Sequence, residues 1–139
     1  MTQALPQPDN VVFDQSFPPS QRLHDRGDYG RVFHRRQQAS GRWVSVLLAP
    51  RPKRGPRRAR LGIMVGTKVH KRAVRRHELK RWVRECFRRE LKGPLHGYDA
   101  VVLFRRDPPE DGHADLDAEI RRLLARALQA TPKPRSRRR

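Results

Sequence analysis

Apolar residues in this chain fall into short bursts separated by basic and proline-rich stretches, and each burst carries one clear period. Tyr29, Val32 and Phe33 recur at the three-and-four spacing of a short helix. Trp43-Val-Ser-Val-Leu-Leu-Ala49 alternates instead, with Trp43, Ser45 and Leu47 facing one way and Val44, Val46 and Leu48 the other, as in a strand ended by Pro50. Leu61-Gly-Ile-Met-Val-Gly66 predicts a second strand. From about Lys71 to Leu91 the period is helical and gathers Leu79, Val83, Cys86 and Phe87 on one arc, with Trp82 at its edge. Gly93-Pro-Leu-His-Gly97 stops that helix. Tyr98-Asp-Ala-Val-Val-Leu-Phe104 is nearly all apolar and predicts a third, central strand. Leu116, Ile120, Leu123, Leu124, Ala127 and Leu128 mark a last helix, for which Asp115 or Asp117 is the candidate cap.

The order α-β-β-α-β-α predicts an α+β fold, an α-β sandwich in which helices pack on a small central sheet of three or more strands, with a βαβ crossover through the second helix. Residues 1–14 read as a flexible leader, 15–130 as a single domain and 131–139 as a basic disordered tail. The turn formers and charges of Pro50 to Arg60 predict a flexible hairpin loop.

Charge decides what such a domain can partner. The 139 residues carry a formal net charge of +19, an excess that opposes compaction and calls for a polyanion. No apolar stretch approaches the ~20 residues of a membrane span, and the first ten residues lack the pattern of a secretory signal. Nucleic acid and an anionic membrane surface are the two candidate polyanions, insertion into a membrane is excluded, and the expected location is the cytoplasm. A single cysteine, Cys86, excludes an internal disulfide and reads as a small core residue. The histidines show no metal-ligand spacing.

On the second helix the charges are sorted by face. Arg76, Lys80 and Arg84 recur every fourth residue beside the apolar arc, and His77, Arg81 and Arg88 extend that flank. Glu78 and Glu85 fall on the far side, within helical reach of neighbouring arginines. Elsewhere, Gly62 and Gly66 read as close-packing positions, and Lys53, Arg54, Arg57, Arg58 and the Arg135 to Arg139 tail as nonspecific phosphate attractors.

These blocks resemble the bacterial ribonuclease P protein component. Phe17-Pro18, Arg22-Leu23, Gly27-Asp28-Tyr29 and Val32-Phe33 match its opening. Leu61-Gly-Ile-Met-Val, Lys68, Ala73-Val74-Arg75-Arg76 and Leu79-Lys80-Arg81-Trp-Val-Arg84-Glu85-Cys-Phe87-Arg88 match its strand and signature helix, and Tyr98-Asp-Ala-Val-Val its third strand. The resemblance runs from about Phe17 to Leu128. It departs where the family signature usually reads Arg-Asn-Arg, since this chain has Arg76-His77-Glu78. A phosphate contact at the third place is therefore not carried over to Glu78. Arg75, His70 and Lys71 are the nearby cationic or potentially cationic positions available to compensate.

The resemblance implies a subunit of an endoribonuclease holoenzyme that removes the 5′ leader of precursor tRNA. Its RNA does the chemistry with Mg2+ bound mainly by that RNA, and the protein itself binds no cofactor. It implies RNA contact by Lys68, Arg72, Arg76, Lys80, Arg81, Arg84 and Arg88. It also implies a leader cleft formed by Tyr29, Phe33, Ser45 and Leu47 and bordered by Lys80 and Arg84. Read from the residues alone, Tyr29 and Phe33 fit core aromatics as well as an exposed shelf. The partners implied are the catalytic RNA and precursor tRNA, with no membrane and no obligate protein partner. The alternative is a noncatalytic ribosomal or RNA-chaperone protein, which fold alone does not separate from the first reading. A duplex-DNA reader ranks lower, because the basic helix commits its apolar face to the core.

Overall fold

Four strands, β1 (Gln37–Ser40), β2 (Val44–Pro50), β3 (Arg60–Met64) and β4 (Tyr98–Phe104), form a mixed sheet in the order β1-β2-β4-β3. Three helices, α1 (Arg26–His34), α2 (Ala73–Cys86) and α3 (His113–Gln129), complete the α+β architecture. The structure, a computed structural model, describes residues 22–23, 26–34, 37–51 and 58–130. The expected leader, the Phe17-Pro18 match, residues 52–57 of the basic loop and the 131–139 tail lie outside the described residues.

Both faces of the two inner strands are covered, which explains their nearly continuous apolar sequences. Val44, Val46 and Leu48 of β2 join Ala100, Val102 and Phe104 of β4 in the main core. Against them pack Leu79, Trp82, Val83 and Cys86 of α2 and Leu116, Ile120, Leu123 and Leu124 of α3. The predicted apolar arc of the basic helix is thus its buried face. On the opposite side of the sheet, Leu47, Ala49 and Val101 meet Leu23 and Val32, with Tyr29, Phe33 and Leu103 packed around them.

Three expectations change. The strand β1 is an addition to the expected order, because Gln37-Gln38-Ala39-Ser40 has one apolar residue in four and carries no strand period. It forms because it pairs antiparallel with β2 and because buried Gln37 donates its side-chain amide to the carbonyl of Ala127 on α3 at 3.0 Å. The segment from Pro50 to Arg60 does not close a hairpin of adjacent strands, since β4 lies between β2 and β3, antiparallel to the first and parallel to the second. Neither Asp115 nor Asp117 caps α3, whose N-cap is Gly112 without a side-chain capping bond.

The basic helix begins at Ala73 and continues past Cys86 as a wider π-helical turn, Phe87–Leu91. The chain then turns through Gly97, whose φ of 88° is the left-handed conformation that glycine adopts without penalty. β4 starts at the next residue. Its apolar sequence places it inside the sheet, as expected.

Candidate nucleic-acid interface

The two flanks of α2 have different neighbours. On one, Trp82 stacks on His113 of α3 with ring centroids 4.8 Å apart and planes 7° apart. Arg75 lies on the same flank, its guanidinium carbon 4.9 Å from the centroid of the Trp82 ring. Arg76, Lys80 and Arg84 follow one another a turn apart and sit about 120–200° round the helix from Trp82, at 100° per residue. That basic flank therefore points away from α3.

The charges along it are not equally available. Lys80 and Arg84 are half-buried and form no ion pair with a described acidic residue, and the same holds for exposed Lys68 and Arg72 just before the helix. Arg76 donates Nη1 to the carbonyls of His70 and Lys71 at 3.0 and 2.7 Å, fastening the loop that leads into α2. Arg88 is paired with Glu85 at 2.6 Å. That hydrogen bond, the Arg88 charge and, more weakly, Arg89 and Arg81 hold the Glu85 carboxyl below its ordinary range. Exposed Arg81 stands between these groups.

Four sequence-derived residues, Tyr29, Phe33, Ser45 and Leu47, come together on the α1 side of the sheet. Tyr29 and Phe33 are half-buried and pack against the smaller apolar cluster. Burial pushes the Tyr29 phenol up, partly offset by a backbone hydrogen bond at Ile63. Leu47 lies beneath α1 and Ser45 bonds Ser40 at 2.8 Å, each with 3% or less of its surface exposed. They form the floor. Across the sheet, the register sets Leu103 opposite Ser45 and Val101 opposite Leu47. Partly exposed Leu103, and Met64 at 39% exposure, extend this face beyond α1. Alternation within Tyr98–Phe104 is the signal that could have assigned Leu103 to this face. Gln38 and Ser40 border the same face and were missed along with β1.

A carboxylate centre also escaped the sequence. Fully buried Asp99 accepts from Arg60 Nε and Nη2 at 2.8 and 2.7 Å and from Arg31 of α1, and Arg51 stands 3.6 Å away. Arg31 also donates to the carbonyl of Pro50 at 2.7 Å. One carboxylate thus ties α1 to the ends of three strands.

A groove of about 1140 Å³ lies on the α3-facing flank of α2, but its charges balance: Arg42, Arg72, Arg75 and Arg106 face Glu78, Asp107, Glu110 and Asp115. It offers a polyanion little net attraction. Among the described residues no three His, Cys, Asp or Glu side chains gather as a metal site, and no helix is long and apolar enough to cross a membrane. Buried Cys86 has its thiol pushed up, first by burial.

The family model for ribonuclease P matches residues 17–128, spanning both the sheet face and the basic helix. This chain belongs to the ribonuclease P protein family. It is 37% identical over 110 residues to the ribonuclease P protein component of Chromobacterium violaceum, covering 79% of this chain and 88% of that one. It is 39% identical over 119 residues to the component from a Marinomonas species, covering 83% and 88%. The solved RNase P protein of Thermotoga maritima superposes with a TM-score of 0.55 at 33% identity, over 74% of this chain and 92% of that one. Family membership makes the chain a subunit of the ribonuclease P holoenzyme, an endoribonuclease acting on tRNA precursors. Within α2, Glu78 accepts a hydrogen bond from Arg75. Arg75 is therefore already paired, with Glu78 and with Asp107.

Proposed function

We propose that this chain binds the catalytic RNA of ribonuclease P along the basic flank of α2 and holds the 5′ leader of precursor tRNA on the α1 side of the sheet. The observation that carries this reading is the pairing pattern: Lys80 and Arg84 have no carboxylate partner among the described residues and stand on the flank turned from α3. Lys68, Arg72, Arg76, Arg81 and Arg88 supply the rest of the RNA-binding charge. Arg76 also supports the loop, and Arg88 shares its charge with Glu85.

For the leader, Phe33 and the edge of Tyr29 offer the apolar surface, Ser45 and Leu47 support it from below, and Lys80 and Arg84 supply positive charge at its border. Stacking of a base contributes about 1–3 kcal/mol and tolerates any sequence, which suits a leader of variable composition. The hydrolytic chemistry belongs to the RNA, with Mg2+ held there, and the site of action is the cytoplasm. The protein contributes substrate affinity and orientation.

The test is cleavage of 5′-leadered tRNA by the cognate catalytic RNA at low magnesium, with this protein, without it, and with a charge-matched basic peptide. Selective rescue by the protein is expected. Rescue no better than the peptide's would reduce the chain to a general polycation.

A further inference from the structure

Arg75 stands within the signature helix, yet its side chain is only 10% exposed. Nε donates to Asp107 Oδ1 at 2.9 Å, Nη2 to the carbonyl of Pro108 at 2.6 Å, and Nη1 to Glu78. Its flat face covers Trp82, which in turn stacks on His113 of α3. Burial works against the Arg75 charge, but the bonds to Glu78 and Asp107 and their charges outweigh it and raise its pKa. All three nitrogens of this guanidinium are thus engaged within the protein, and three of its five N–H donors are spent before any phosphate arrives.

The same helix lacks ordinary fastening at its start. Arg72 at the N-cap makes no side-chain capping bond, and the first turn holds no acidic residue. Isolated helix starts depend on such groups for their orphan N–H donors. Here Arg75 ties the first turn to the segment between β4 and α3, and Arg76 ties it to the preceding loop from the other flank.

We propose that Arg75, Glu78 and Asp107 form a clamp that sets the rotation of α2, making Arg75 a positioning residue for the RNA-facing cations and Glu78 a member of the clamp instead of an RNA contact. Side chains reach 5–6 Å from a helix axis, so a 20° rotation would shift their ends by roughly 2 Å. That is enough to break a hydrogen bond to phosphate. The inference rests on the RNA-binding reading given above.

Its test exploits a conflict of sign. Asp107→Asn removes a negative charge from a protein that binds a polyanion, so charge alone makes binding tighter. The clamp makes it weaker. Arg75→Lys keeps the charge but loses the planar fork that reaches three acceptors at once, and the clamp again demands weaker binding. Affinity of the full chain for the cognate catalytic RNA is measured across a salt series, with circular dichroism confirming the fold. Each single variant is expected to weaken binding about threefold to tenfold and to flatten the salt slope, because misaligned cations release fewer counterions. The double variant should be no worse than the weaker single, as for residues acting through one contact.

Unchanged or tighter binding by Asp107→Asn, with Arg75→Lys unaffected, would overturn the clamp and leave the RNA-binding reading standing. Failure of the unaltered chain to bind the RNA would overturn that reading and the clamp with it. Should either variant lose its folded signal, isosteric Glu78→Gln on the half-exposed side of the clamp decides by the same criterion.

Discussion

The ring of Tyr29 lies against the backbone of Gly62, so close that a Cβ there would stand 2.5 Å from the phenol oxygen and 2.6 Å from Cε1 and Cζ. Glycine permits this approach, and it brings α1 down onto β3. Gly62→Ala is expected to displace the ring and destabilise the fold by about 1–3 kcal/mol, the usual cost of overpacking. Urea unfolding measures the loss. An unchanged midpoint would mean that α1 moves freely over the strand.

Charge reversal at Lys80 or Arg84 should weaken leader-dependent processing more than reversal of one arginine in the Arg135 to Arg139 tail. Each phosphate that the variant no longer neutralises should make the slope of log affinity against log salt shallower by about 0.7–0.9. Processing of leadered tRNA over a salt series is the assay. Equal effects at the helix and the tail would mean generic attraction and no site on α2.

Phe33 is half-buried at the rim of the smaller apolar cluster, packed against residues around Leu47 and Val101. Phe33→Ala is expected to keep the folded circular dichroism signal and to reduce the advantage of leadered over mature tRNA by about 1–3 kcal/mol, the worth of one stacked base. Loss of the folded signal would place Phe33 in the core.

Asp117 is buried beside Arg89 and His113, and its pKa is raised, first by burial and also by the charge of Glu90, against the pull of His113, Arg89 and Arg121. The unfolded carboxyl titrates near ~3.9, so between that pH and the raised native value the native state holds more protons. Stability therefore falls as pH rises through that window. Asp117→Asn should remove this slope. Thermal unfolding followed from acid to neutral pH checks it. Glu85 contributes a slope of opposite sign, common to both proteins, which cancels in the comparison. Parallel curves for the two proteins would rule out titration of Asp117.

Local periodicity determined much of this molecule. The three-and-four spacing of Leu79, Val83 and Cys86 laid down the buried face of α2, and hence the flank carrying Arg76, Lys80 and Arg84. The unbroken apolar run at Tyr98–Phe104 placed β4 inside the sheet. Gly62 proved a packing position, as its place in a strand suggested. These features rest on residues close in sequence, where backbone geometry fixes direction.

Other features depended on partners far along the chain, which no local period encodes. β1 holds through Gln37, whose partner Ala127 is 90 residues away. Asp99 gathers arginines from α1, from β3 and from the residue after β2, Arg31 among them at a separation of 68. Arg75 reads in sequence as a cation available to compensate for Glu78, yet Asp107, 32 residues on, pairs with it. Alternation set Ser45 and Leu47 on one face, and their burial came from packing that the alternation does not encode. Sequence distributed the charge and apolar surface along each element; tertiary packing decided which charges were already paired and which stayed free.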